Sequence, residues 1–407
     1  MCLEVIYHWI MLFSYFSMSG SYRSLRGPRL LRHLALFSHY AGPQPTSSSS
    51  YHIPVMRNEC MQYLNIRPDG LYMDCTLGGG GHTEAILERG GLVIAIDQDT
   101  DAIKASSTRL QSYLDSKRLE IHQTNFRNMN AVLQHSALAA KGQRRVDGVL
   151  MDLGISSWQI DSASRGFAFA ANGPLDMRMS QISPLTAAEI VNTFDIEDIA
   201  NILFDYGEER RSRSIARAIY TSRPLHTTLD LEKAISSVTS FKDRVKTLAR
   251  CFQALRIVIN DEMGALKEAL LRTSEVVRPG GRLVVLSYHS LEDRQVKNVM
   301  KKGEVVEGSE RIPSSLLLSR SFTSSTPLSS PWTLVEKRFM TPSEEEVQRN
   351  KRARSAKLRV AERLREDDMQ LEGEDIARDR RERRREARHM GAKQRKKMLE
   401  SVDGDGE

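Results

Sequence analysis

Between Leu71 and Asp99 the chain reads LYMDCTLGGGGHTEAILERGGLVIAIDQD. An apolar run ends in Asp74, four glycines follow at Gly78–Gly81, and a helical pattern opens at His82. A second apolar run, Leu92 to Ile96, ends in Asp97. Strand, glycine turn, helix, strand and terminal acid form half of a nucleotide-binding βαβ unit. The glycines let the backbone approach a ligand closely, because no Cβ intrudes. An acid ending the second strand is placed to accept hydrogen bonds from ribose hydroxyls. Such a unit holds a dinucleotide or S-adenosylmethionine, and the two imply different chemistry.

The spacing bears on that choice. A dinucleotide fingerprint asks for a third small residue to pack helix against strand. Counted from Gly78 and Gly80, that position falls on Thr83. Acid, short gap and packed glycines look more like the first motif of S-adenosylmethionine methyltransferases. At this point a dehydrogenase stays open beside a methyltransferase.

Five strand candidates follow in order: Leu71–Thr76, Leu92–Asp97, Leu119–Gln123, Val146–Leu153 and Arg282–Ser287. Helical patterns lie between the early ones, the alternation of a parallel sheet covered on both faces. Pro279-Gly280-Gly281 is expected to stop a helix over Asp261–Arg278 before the fifth strand, and Trp332 to Met340 looks like a further edge strand. Arg165 to Arg256 interrupts the pattern. There Ile196, Ile199, Leu203 and Tyr206 recur at helical spacing after a cap candidate at Asp195, and Ile215 and Ile219 continue until Pro224. A structureless loop of that length does not suit a compact domain, so the stretch predicts an inserted helical subdomain facing the ligand crevice.

The expected organisation is therefore a leader and linker over 1–50, a core in two parts over 51–164 and 257–365, a substrate-recognising insertion over 165–256, and a charged tail over 366–407. In the leader, Arg23, Arg26, Arg29 and Arg32 alternate with leucines, and Glu4 is the sole acid before Glu59. That composition reads as a mitochondrial transit peptide, with the matrix as destination. Val5 to Met18 is apolar enough to raise a signal peptide or membrane anchor instead, but it is short for a span and contains His8. The tail's arginine run, Arg380–Arg385, suits a solvated segment or an RNA-binding arm. A net charge of +7 favours a polyanionic partner, and the scattered Cys2, Cys60, Cys75 and Cys251 argue against a disulfide framework and a cysteine zinc site.

Four further blocks stand out: HIPVM at His52–Met56, MDLGISS at Met151–Ser157, GPLDMRM at Gly173–Met179 and SYHSLEDR at Ser287–Arg294. Joined by TLGGGGH, RGF at Arg165–Phe167, YGEER at Tyr206–Arg210 and FQALRI at Phe252–Ile257, they closely resemble the small-subunit rRNA cytosine-N4 methyltransferases, the RsmH or MraW family and its mitochondrial relatives. The resemblance spans about His52 to Arg365. Tyr288 stands where that family usually has Phe, and residues 230–250 and 300–330 match poorly.

The resemblance implies a Rossmann-like class I methyltransferase fold using S-adenosylmethionine. Gly80, Gly81 and His82 would wrap the methionine side of the cofactor, Asp97 would take the ribose hydroxyls, and Phe126 would pack by the adenine. Asp152 and Gln159 would complete the pocket. The implied partner is small-subunit rRNA or an assembling small ribosomal subunit.

A cytosine exocyclic amine is a weak nucleophile, because its lone pair is delocalised into the ring. The protein's tasks are then alignment, desolvation and proton acceptance. Asp152 is the first candidate acceptor, followed by Ser156 and by His289, whose imidazole titrates near neutrality. A satisfied structural role competes for His289, and Asp176 could be salt-bridged near Arg178. Arg210, Arg211, Arg213 and Arg217 are candidate phosphate contacts for a base leaving its stack. No metal constellation is visible, and methyl transfer from a sulfonium needs none. The competing readings are a small-molecule methyltransferase on the same fold and a non-catalytic ribosome assembly factor.

Overall fold

Short apolar runs that end at a glycine turn or an acid become the centre of a seven-stranded sheet. The computed structural model describes residues 54–139, 145–306 and 330–365. The leader over 1–50, the start of HIPVM, most of the 300–330 segment and the tail over 366–407 lie outside the described residues. Strands β1 (Leu71–Asp74), β2 (Leu92–Asp97), β3 (Leu119–Gln123), β4 (Val146–Asp152) and β5 (Val277–Ser287) are mutually parallel. At one side β6 (Trp332–Leu334) and β7 (Lys357–Arg363) add antiparallel pairing, giving the order β3-β2-β1-β4-β5-β7-β6. The order reverses between β1 and β4, which is where an open α/β sheet forms its ligand crevice.

Burial on both faces explains the continuous apolar runs. Leu71, Met73, Ile94, Ile96, Val149 and Met151 face one core, and Tyr72, Val93, Ala95 and Leu150 face the other. The first core continues without a break into Ile190, Ile199, Leu203, Ile215 and Leu231 of the insertion. Five helices build it: Ala187–Thr193, Ile196–Asp205, Ser212–Thr221, Thr228–Ser236 and Arg244–Ile259. The last runs three residues beyond the expected boundary at Arg256. Asp195 caps the second of them, its side chain accepting from Asp198 N.

Several expectations need correction. β1 stops at Asp74 rather than Thr76, because Thr76 N turns back to Asp74 Oδ1 at 3.0 Å. β4 ends at Asp152 rather than Leu153, and the helix after the glycine turn opens at Gly81 rather than His82. The helix expected over Asp261–Arg278 covers Glu262–Val276. Pro279-Gly280-Gly281 does not separate helix from strand but forms a bulge inside β5, where Val146 pairs with Val277 and Gly148 with Arg282. Gly280 takes φ +73°, and a Cβ on Gly281 would meet Asp147 O at 2.7 Å. The edge strand reaches only Leu334, although Met340 still bridges Leu358. β7 has no counterpart among the expected strands. Among the described residues, no helix is long and apolar enough to cross a membrane.

Candidate active site

The five parallel strands deliver their functional side chains at one edge. Asp74 ends β1, Asp97 ends β2, Phe126 follows β3, Asp152 ends β4 and Tyr288 follows β5. Two acids organise the glycine turn. Asp74 is fully buried, accepts from Thr83 Oγ1 at 2.7 Å and thereby ties the helix Gly81–Glu88 to β1. Thr76 Oγ1 accepts from Asp152 N at 2.7 Å, linking β1 to β4 across the reversal point. Asp97 Oδ2 accepts from Gly78 N and its Oδ1 from Asp99 N, both at 2.8 Å. A carboxylate has about four acceptor directions, so Asp97 keeps two for ligand hydroxyls. Burial pushes its carboxyl up to about 6.

The turn leaves little room for side chains. Gly78 and Gly80 have φ of +48° and +77°, the left-handed region that disfavours a Cβ. A Cβ on Gly81 would approach Pro54 Cδ to 3.0 Å, which explains why this helix starts on a glycine packed under the HIPVM block.

His82, Asp152 and Tyr288 converge. His82 is only 4% exposed, and its Nε2 lies 3.5 Å from Asp152 Oδ2. Neither ring nitrogen of His82 has a hydrogen-bond partner among the described residues. Buried polar atoms are almost always partnered, so these nitrogens fit a site completed by a polar ligand. Tyr288 Oη donates to Asp152 Oδ1 at 2.7 Å. Burial, then the Asp152 charge, pushes the Tyr288 phenol well above its ordinary range and keeps it a donor.

Gln159 lies in a second cluster. It is buried, donates through Nε2 to Asp99 Oδ2 at 2.6 Å and forms a capping box with Ser156. Ser156 Oγ accepts from Gln159 N at 3.2 Å, so this catalytic candidate also caps the short helix Ser157–Asp161. Arg165 clamps the same cluster, pairing with Asp99 at 2.9 Å and Asp101 at 3.1 Å and donating to the carbonyls of Arg178 and Met179. Phe126 sits half-buried at the start of a 3-10 turn, packed against the core.

His289 is placed differently from the other candidates. It caps the helix Ser290–Lys302: Nδ1 accepts from Glu292 N, and Nε2 lies 3.1 Å from Glu292 Oε1. Nδ1 is thus engaged by the helix cap, while Nε2, like the ring nitrogens of His82, is buried without a hydrogen-bond partner among the described residues. Glu262, His289 and Glu292 bring metal-ligating atoms within 4.8 Å of one another, a grouping that the sequence did not reveal. Both oxygens of Glu262 accept from Arg256, at 2.7 and 2.8 Å, so an ion there would share this carboxylate with a guanidinium of like charge. Asp176 pairs with Arg178 itself, at 2.9 Å. Burial opposes that charge, but the guanidinium holds the Asp176 carboxyl below its ordinary range.

The sequence reading missed Asp99, Thr76 and the phenol of Tyr288. Asp99 carried a signal, an acid capping the helix Thr100–Arg109, but its bonds to Gln159 and Arg165 join residues 60 and 66 positions apart.

Among known proteins, the model of the MraW methylase family matches residues 49–364. The chain is 43% identical to the ribosomal RNA small subunit methyltransferase H of Carboxydothermus hydrogenoformans, over 77% of this chain and 98% of that protein. It is 42% identical to the protein of the same name from Brevibacillus brevis, over 78% of this chain and the whole of that one.

Proposed function

The chain belongs to the MraW methylase family, and from that membership we propose that it methylates N4 of a cytidine in small-subunit rRNA, using S-adenosylmethionine, in the mitochondrial matrix. The rRNA part of this reading draws on relatives named for small-subunit rRNA methylation and covered almost end to end. The matrix part draws on the arginine-rich, acid-poor leader.

The observation that carries the chemistry is the convergence of His82 and Tyr288 on Asp152. When bound, S-adenosylmethionine supplies a methyl group activated by a sulfonium. Gly80, Gly81, His82, Asp97, Phe126 and Gln159 would hold it, the glycines by close backbone approach and Asp97 by accepting ribose hydroxyls.

Asp152 acts on the acceptor. Its carboxylate takes a hydrogen bond from the cytosine amine and concentrates the nitrogen lone pair for attack. As the new N–C bond forms and the S–C bond breaks, the amine sheds one proton, which Asp152 accepts and passes to solvent. Its side chain is 24% exposed, enough for that exit. Tyr288 fixes one carboxylate oxygen so that the other faces the crevice beside His82.

The test is methyl transfer by the purified chain to small-subunit rRNA, with the product mapped by mass spectrometry. N4-methylcytidine at one site supports the reading; methyl uptake elsewhere, or none, rejects it. A fluorescent fusion that stays outside mitochondria rejects the matrix assignment.

A further inference from the structure

The helix Ser157–Asp161 carries Trp158, which is 62% exposed although it directly precedes the buried Gln159. Trp158 and Asp161 are three residues apart and so share one side of the helix. On that side Asp161 is paired with Arg352, at 2.5 Å to Oδ1 and 3.3 Å to Oδ2. Arg352 belongs to the 3-10 segment Lys351–Ser355, which extends a cationic run: Arg349, Lys351, Arg352 and Arg354 are exposed, with no acid among them. The fold brings this run to the catalytic edge, because β7 begins at Lys357 opposite Ser287, the residue before Tyr288. An exposed indole and four cations therefore stand where β4 and β5 end.

We propose that Trp158 and the run Arg349–Arg354 form a platform for the single-stranded RNA flanking the target cytidine. The indole stacks on one base, and Arg349, Lys351 and Arg354 neutralise adjacent phosphates, while Asp161 holds Arg352. Exposed aromatics beside cations suit unpaired RNA because every base has a π-face while the charges follow the backbone. The inference rests on the rRNA reading above and adds to it the surface that holds the strand. These cations belong to a different chain segment from Arg210, Arg211, Arg213 and Arg217 of the insertion.

The test measures binding of a fluorescein-labelled, cytidine-containing single-stranded RNA to the full chain across a salt series. Methylation of small-subunit rRNA and S-adenosylmethionine affinity are measured in parallel. Trp158→Ala is expected to weaken RNA binding about tenfold, and Trp158→Phe to restore most of it. Lys351→Ala with Arg354→Ala is expected to reduce the slope of log Kd against log salt by about 1.4, for two phosphate contacts.

RNA binding unchanged in Trp158→Ala and in the double variant, while the native chain methylates rRNA, overturns the platform and leaves the function standing. That result would also be given by a surface serving an acidic protein. Equal losses of RNA and S-adenosylmethionine affinity in Trp158→Ala mean a collapsed helix and likewise overturn it. A native chain that neither binds nor methylates RNA overturns the function itself.

Discussion

Tyr288 donates a 2.7 Å hydrogen bond to Asp152 across the neighbouring ends of β4 and β5, where Asp152 pairs with Leu286. The phenol holds one carboxylate oxygen, and His82 stands 3.5 Å from the other. Tyr288→Phe removes the donor without changing the ring. A hydrogen bond to a charged group contributes about 1.5–3 kcal/mol, and the partial exposure of Asp152 offsets part of the loss. We expect kcat to fall about fivefold while S-adenosylmethionine affinity holds. Single-turnover methylation checks this, and an unchanged rate would show that other contacts orient Asp152.

The Asp97 carboxyl gives a pH signature. Its folded-state value, raised by burial from 3.8 to about 6, exceeds the unfolded one. Its contribution to folding is therefore fully present below 3.8 and is lost as pH rises through about 6. With the proposed ribose contact, cofactor binding takes the opposite sign, because the hydroxyls would donate to the ionised carboxylate. S-adenosylmethionine affinity should fall as pH drops through about 6, by up to about tenfold per pH unit. Calorimetric titration checks this: Asp97→Asn should bind weakly at every pH, without the inflection.

Arg165 and Asp99 make the most buried ion pair of the site, with side chains 8% and 3% exposed. Arg165→Ala leaves a buried carboxylate without its cation, a change that costs about 3–5 kcal/mol. Denaturant unfolding should show a loss of that order. A loss near zero would mean that Gln159 alone satisfies Asp99.

Gly80→Ala tests the turn. The residue sits at φ +77°, and a Cβ would come 3.0 Å from Leu110 Cδ1. Left-handed backbone costs a residue with a Cβ about 1–2 kcal/mol. We expect a lower Tm and weaker S-adenosylmethionine binding together; an unchanged Tm would contradict the strained turn.

What the sequence disclosed, it disclosed locally. β1, β2 and the glycine turn were legible because apolar runs, glycines and terminal acids are contiguous signals. β7 was not, since KLRVAER looks like a charged surface segment. Its Arg359 is buried only because Asp293 meets it at 2.7 Å, 66 residues away. The Pro279-Gly280-Gly281 bulge was misread for a related reason: a helix stop and a strand bulge use the same residues, and only Asp147 on β4 distinguishes them. In the site, His82 and Asp152 were identifiable by motif. The Tyr288 bond, spanning 136 residues, exists only once β4 and β5 are adjacent.

We propose that Asp152 sits at the centre of methyl transfer to a small-subunit rRNA cytidine. The most direct measurement is mass-spectrometric mapping of small-subunit rRNA from cells lacking this chain, then supplied with the native chain or with Asp152→Asn. We expect one N4-methylcytidine to vanish in its absence, to return with the native chain and to stay missing with Asp152→Asn. An unchanged N4-methylcytidine pattern in the cells lacking it would contradict the account.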